Sequence, residues 1–166
     1  MNKLASFFDL INEQIGRVIA WLTLFMVLIT FLVVVLRYGF NWGSIAMQES
    51  VIYLHALAFM AAAAYTLRHN EHVRVDIFYG DMSARKKAWV DILGTLFLLI
   101  PFCLFMLWTG WFYVSKAWAV FEGSPEAGGL PLVFILKSFI LLMAVLLLLQ
   151  AFSLIVRNLQ TIREEN

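Results

Sequence analysis

The chain is 166 residues long, 63% hydrophobic and only 14% charged, and its 12 Lys and Arg against 11 Asp and Glu leave a formal net charge of +1. Soluble domains are about half apolar and about a quarter charged, so this composition excludes a disordered tail and a collagen-like repeat. It also excludes a nucleic-acid-binding domain, which needs a basic surplus to neutralise phosphates. The single cysteine, Cys103, can make neither an internal disulfide nor a thiolate metal cage. Lipid is the solvent that such a chain requires.

Four apolar runs follow in order: Val18 to Leu36 without a charge, Val51 to Leu67 interrupted by His55, Ile92 to about Tyr113, and Leu132 to Val156 interrupted by Lys137 and Gln150. About 20 residues at 1.5 Å each match a hydrocarbon layer of roughly 30 Å. Lipid offers no partner to unsatisfied backbone groups, so the runs are predicted as helices. The expected fold is all-α: one transmembrane domain over 1–166 with helices at about 16–37, 49–67, 84–113 and 131–157, joined by short interfacial segments. The first run does not read as a cleaved signal peptide, because Asp9 and Glu13 precede it and Arg37-Tyr38 stands where small residues belong.

Lys and Arg divide unevenly between the connections. Lys3, Arg17, Arg68, Arg74, Arg85, Lys86, Lys87, Arg157 and Arg163 fall on one side, and Arg37, Lys116 and Lys137 on the other. The positive-inside rule then puts both termini and the 68–88 loop in the cytoplasm, with 37–50 and 114–131 outside. Aromatic residues mark the interfaces at Tyr38, Trp42, Tyr65, Trp89, Trp108, Trp111 and Trp118.

The 38–50 connection mixes apolar and polar residues as a short interfacial helix does, although Gly39 and Gly43 oppose one. Alternation of Val73, Val75 and Ile77 with Arg74 and Asp76 predicts extended or docked backbone. Ser83 is the expected N-cap of the third helix, Pro101 its expected kink, and Pro131 the expected first residue of the fourth.

Few residues suggest chemistry. His69-Asn70-Glu71-His72 offers two imidazoles at i, i+3, but no third ligand at suitable spacing, and basic neighbours oppose a cation. A polar loop is the simpler reading. His55 is expected to hydrogen-bond across helices near Ala58 and Ala62, where small side chains allow close approach. Lys137 either snorkels to the interface or pairs with a carboxylate such as Glu122 or with a partner subunit. Two stripes recur at sevens on the fourth helix, Lys137-Ala144-Ala151 and Met143-Gln150-Arg157; bundle packing explains one and a second protein the other. Neither a phosphate loop nor a nucleophile–base pair is evident, so no catalytic residue, substrate site, metal or cofactor is expected.

Three stretches carry a family resemblance: Arg37-Tyr38-Gly39-Phe40-Asn41 followed by Gln48-Glu49, HVRVDIF at 72–78, and GGLPLVFILKS at 128–138 followed by Gln150 and Arg157. In order and spacing they resemble the small, DctQ-like membrane subunits of TRAP (tripartite ATP-independent periplasmic) transporters over about 120 residues. The departure is Met47, where an aromatic residue and paired acids are expected.

The resemblance implies a bacterial inner-membrane importer of three parts. A periplasmic binding protein captures an organic acid, a large membrane subunit carries it with a coupling ion, often Na⁺, and the small subunit braces the large one. Under this reading the chain is not an enzyme. Arg37 and Glu49 are expected to pair across the outer connection, Asp76 to pair with Arg74 or Arg68, and Lys137 and Gln150 to make interhelical or intersubunit hydrogen bonds. Glu122 and Glu126 are candidate contacts on the periplasmic face. Two other readings are a four-helix redox or haem subunit using His55, His69 and His72, and a self-assembling membrane protein.

Overall fold

In a computed structural model, residues 3–73 and 76–164 are described, the side chains of Lys3, Leu4 and Asp76 excepted. The described elements are helical, with no strand among them: α1 (Lys3–Phe40), α2 (Ile45–Arg68), a single turn α3 (Asp76–Tyr79), α4 (Ala84–Gly94), α5 (Ile100–Ala119) and α6 (Val133–Glu164). A π-helical segment, Thr95–Leu99, joins α4 to α5 without a break. Four helices are therefore long and apolar enough to cross a membrane.

The helices outrun the apolar runs that predict them. α1 begins at Lys3, well before the run at Val18, because Asp9 and Asn12 are buried there and keep that stretch packed in the bundle. α1 also continues to Phe40 and α2 starts at Ile45, so the connection is 41–44 and holds no interfacial helix. Asn41 turns the chain at φ 52° while the Trp42 N–H donates to the Leu36 carbonyl at 3.0 Å, and Ser44 Oγ caps α2 by accepting from Met47 N.

α2 ends with Asn70 at φ 59°, where the Glu71 N–H reaches the Thr66 carbonyl at 3.1 Å. Where the alternating pattern predicts extended backbone, 76–79 forms a helical turn, and residues 74–75 lie outside the described residues. The Tyr79 hydroxyl ties that turn to α4 by donating to Asp91 Oδ2 at 3.0 Å. Ser83 takes the N-cap position of α4, but through its backbone: the Lys87 N–H bonds the Ser83 carbonyl and the side chain makes no cap.

Pro101 acts through the turn before it. Proline offers no N–H and crowds the carbonyl four residues back. The chain widens into the π segment Thr95–Leu99 just ahead of it, with the Ile100 N–H donating to the Thr95 carbonyl. Pro131 precedes α6 rather than opening it. The Ile135 and Leu136 N–H groups converge on the Leu132 carbonyl, and the Phe134 N–H is taken by the Glu122 carbonyl.

α6 is the hub, packing against α1, α2, α4 and α5. Small residues make that possible: Ala61 and Ala64 of α2 and Ala144 of α6 are buried with Ile19, Cys103, Leu146 and Leu147 in one cluster, and Ala151 is fully buried beside it in sequence. A second cluster of Ala88, Ile92 and Ile162 closes the end that holds both termini. α1 enters on a seam of Ile19, Leu22, Met26, Ile29, Val33 and Leu36, the residues of its apolar run that are not exposed. In lipid the gain comes from close contact and not from water release, which favours such small faces.

Gly16 sets the α1–α2 distance. An added Cβ there meets the Tyr65 ring at 2.2 Å, whereas one at Gly39 meets nothing within 4 Å. Gly16→Ala is expected to lower stability by about 1–3 kcal/mol, as overpacking does, read as a depressed thermal midpoint in detergent. Gly39→Ala is the control and should leave the midpoint in place.

Candidate functional site

The polar side chains gather at the two ends of the bundle. At the terminal end, Asp9 of α1 is 5% exposed and collects three donors from successive turns of α6. Gln150 Nε2 donates to its Oδ1 at 3.2 Å and Ser153 Oγ to the same oxygen at 2.7 Å. Arg157 forms an ion pair with Oδ2. Asn12, one turn along α1, donates from Nδ2 to Gln150 Oε1 at 2.7 Å; its own Oδ1 is buried without a donor. Asn12, Gln150 and Ser153 are each 1% exposed or less. The 150, 153, 157 spacing puts all three α6 groups on one face, over the 9, 12 face of α1.

α2 joins this network from the side. Arg68 donates to the Asp9 carbonyl at 2.5 Å and to Glu13 Oε2 at 2.7 Å. His69 Nε2 lies 3.1 Å from the same Glu13 oxygen, and Arg17 Nε is 3.5 Å from Oε1. Three helices are thereby pinned by one carboxylate and its neighbour.

At the far end the clamp belongs to Glu49. Its Oε2 accepts the Leu130 N–H at 2.6 Å and its Oε1 accepts the Ser124 hydroxyl. An added Cβ at Gly129 would meet Ser124 Oγ at 2.5 Å and Glu49 Oε1 at 2.8 Å, so the backbone lies against the carboxylate there. α5 ends in a left-handed Phe121 (φ 46°), an outlier for a bulky residue, held by the Glu122 N–H on the Ala117 carbonyl at 3.0 Å and by ring contact with Phe134 at 5.6 Å. Lys137 Nζ donates to Glu122 Oε2 at 2.5 Å and sits 4.2 Å from the centre of the Tyr113 ring.

The geometry overturns some expectations and decides between others: Lys137 takes the pair with Glu122, and Gln150 the interhelical bonds. Glu49 does not pair with Arg37: its oxygens are taken by the 124–130 loop, and Arg37 stands exposed beside Tyr38, Asn41 and Gln48 with no ion pair among the described residues. Lys137 does not snorkel, because Glu122 and Tyr113 hold it at 16% side-chain exposure. Gln150 bonds within the chain, between α1 and α6. Both stripes of α6 are used internally, since α6 touches every other spanning helix, and neither one calls for a second protein. Glu126 is exposed and bonds through its backbone, donating its N–H to Ser124 Oγ at 3.1 Å and accepting the Gly129 N–H on its carbonyl at 3.0 Å. The Asp76 side chain and Arg74 lie outside the described residues, and Arg68 is engaged with Glu13 and the Asp9 carbonyl.

The histidines are not brought together. His69 faces Glu13, His72 Nε2 is 3.2 Å from the Ala63 carbonyl, and His55 is fourteen residues from His69, about 21 Å of helix rise. Among the described residues no three metal-ligating side chains cluster. The haem and metal arrangements of His55, His69 and His72 are therefore not built here. Among the described residues His55 also makes no bond across helices, because it is exposed while Ala58 and Ala62 turn toward the core.

A family model described as "Tripartite ATP-independent periplasmic transporters, DctQ component" matches residues 26–161, which runs from the second half of α1 through α2, α4 and α5 into most of α6 and includes the Glu49 and Lys137 clamps. The chain belongs to that family. No curated protein and no solved structure matches it. The DctQ component described here is thus a multi-pass membrane protein and a part of a TRAP transporter.

Asp9, Asn12, Glu13 and Ser153 carry no motif, and sequence reasoning passes them over. Their signal is spacing: Asp9, Asn12, Glu13 and Gly16 share one face of α1, as Gln150, Ser153 and Arg157 share one of α6.

Asp9→Ala strands the buried Gln150 donor, which costs on the order of 1–3 kcal/mol when unpaired, and leaves Ser153 only its 3.4 Å bond to the Ala5 carbonyl. A lower thermal midpoint in detergent is expected, larger than that from Asp81→Ala on the exposed loop. Glu49→Ala should leave the midpoint nearly unchanged but raise hydrogen exchange at the Leu130 amide, read by mass spectrometry of the 123–131 peptide.

Proposed function

We propose that this chain is the non-catalytic small membrane subunit of its transporter, bracing a large transport subunit during ion-coupled uptake of an organic acid. Na⁺ is the proposed coupling ion, and a periplasmic binding protein delivers the substrate. The whole of 1–166 acts as one transmembrane domain in the bacterial inner membrane, with both termini in the cytoplasm, an orientation that the bias of Lys and Arg supports.

One observation carries the bracing role: four of the five buried polar side chains among the described residues, Asp9, Asn12, Gln150 and Ser153, are engaged with one another and with Arg157 across α1 and α6, while the fifth, Thr95, bonds back to the Asp91 carbonyl. A carboxylate that already holds three donors serves to fix helices. Such a site gives a rigid platform against which a second membrane protein can move. Glu49, Lys137 and Gln150 are internal struts under this reading. Arg37 and Glu126, both exposed at the far end, and Glu122 beside them would face the periplasm, where the binding protein arrives. Asp76 remains a candidate for ordering the opposite loop.

Reconstitution tests the role directly. Liposomes holding this chain alone are expected to accumulate no organic acid under a Na⁺ gradient, whereas co-expression with the large subunit should yield a complex that stays intact through size-exclusion chromatography. Uptake by the isolated chain would end the bracing interpretation.

A further inference from the structure

α2 is exposed along one line only. Of its 24 residues, the exposed ones are Ile45, Gln48, Ile52, His55 and Phe59, at successive separations of three, four, three and four. Every other residue of the helix is at least partly covered by its own chain. α1 presents a different surface, exposed on most sides between Val18 and Leu36, as a helix bathed in lipid is. A seam of alternating threes and fours is the pattern by which one helix receives another in a left-handed pair.

The seam is polar where lipid would penalise polarity. His55 lies ten residues into α2 and thirteen from its end, about 15 Å and 20 Å along the axis, so it stands at mid-depth. It has no hydrogen-bond partner among the described residues. The threonine and serine hydroxyls exposed on the spanning helices behave otherwise: Thr30 donates to the Met26 carbonyl at 2.8 Å, Thr109 to Phe105 at 2.8 Å and Ser115 to Phe112 at 3.2 Å. A hydroxyl can return its proton one turn back along its own helix. A neutral imidazole holds a donor and an acceptor on opposite sides of a ring, and needs a partner outside the helix for at least one of them. Gln48, a heptad earlier on the same line, presents a second polar group, an amide, at the shallower end.

We infer that this line, Ile45 to Phe59, docks a membrane-spanning helix of the large transport subunit, and that the docked helix carries a hydrogen-bonding side chain at the depth of His55. The inference rests on the bracing role proposed above. Acyl chains cannot satisfy an imidazole. The fourteen steps from Ile45 to Phe59 cover about 21 Å of depth, which calls for a rod and not for a headgroup or a loop. A second copy of this chain in the same orientation would set Phe59 on Phe59 and Ile52 on Ile52, bulk against bulk, whereas these side chains suit a helix with recesses opposite them. The family's transporters are three-part, so an unlike membrane partner is at hand.

The test places a photo-crosslinking benzoyl-phenylalanine at Ile52 or Phe59 in the chain co-expressed with the large subunit. Phe105 of α5, which is 58% exposed, is the control position. Illumination is expected to join positions 52 and 59 to the large subunit, identified by mass, and to leave position 105 unjoined to it. His55→Leu should reduce co-purified large subunit about fivefold, the effect of one interhelical hydrogen bond in a membrane, with helical circular dichroism unchanged; His55→Gln should restore most of it. Adducts to lipid alone or to a second copy of this chain, from a complex that still co-purifies, would overturn the docking line and spare the bracing role. Failure of the unaltered chain to co-purify would overturn the bracing role and the docking line with it.

Discussion

A polar group inside a hydrocarbon layer has no solvent to fall back on, and the architecture of this protein follows from how it meets that constraint. Backbone groups meet it by forming helices, and side-chain hydroxyls by bonding to carbonyls one turn back. Carboxylates, amides and guanidinium groups cannot be served so locally, and they draw helices together. Asp9 receives Gln150, Ser153 and Arg157 from α6 and, through its carbonyl, Arg68 from α2. That one residue thereby determines which ends of three helices meet.

Between the two polar ends, the bundle depends on smallness. Ala61, Ala64, Ala144, Ala151 and Gly16 let α1, α2 and α6 approach until side chains interlock, which is the available source of stability where burial from water contributes little. The far end then closes on Glu49, whose carboxylate organises the 124–130 loop from the side of α2. Clamps at both ends with close packing between them make a stiff unit. Under the bracing role proposed above, such a unit holds a moving partner in place.

The clamps also account for what is left outside. α6 uses all of its polar stripes internally, as do Lys137 and Gln150. Outward polar groups include Arg37 and Gln48 near one end and His55 at mid-depth, none with a side-chain partner among the described residues. Under the docking proposed above, Gln48 and His55 mark the surface that meets another protein.

Four spans, their helical state and their membership in a transporter family were legible in the sequence, because each depends on local composition and on short ordered motifs. Apolar runs near 20 residues admit one backbone solution in lipid, and GGLPLVFILKS or HVRVDIF needs no third dimension to be recognised. Partner choice was not legible. Arg37 and Glu49 are close in sequence and of opposite charge, yet Glu49 serves a loop some eighty residues away, because the α2–α6 packing brings Leu130 N–H within 2.6 Å of it. Asp9 looks like a solubilising charge ahead of a span until α6 folds against it. His55 looks like an interior histidine until the faces of α2 are assigned, and tertiary packing alone assigns them. The sequence determines what must be buried in lipid and in which backbone state; the fold decides which polar atoms are neighbours, since hydrogen bonds and ion pairs act over a few ångströms in space and are indifferent to distance along the chain.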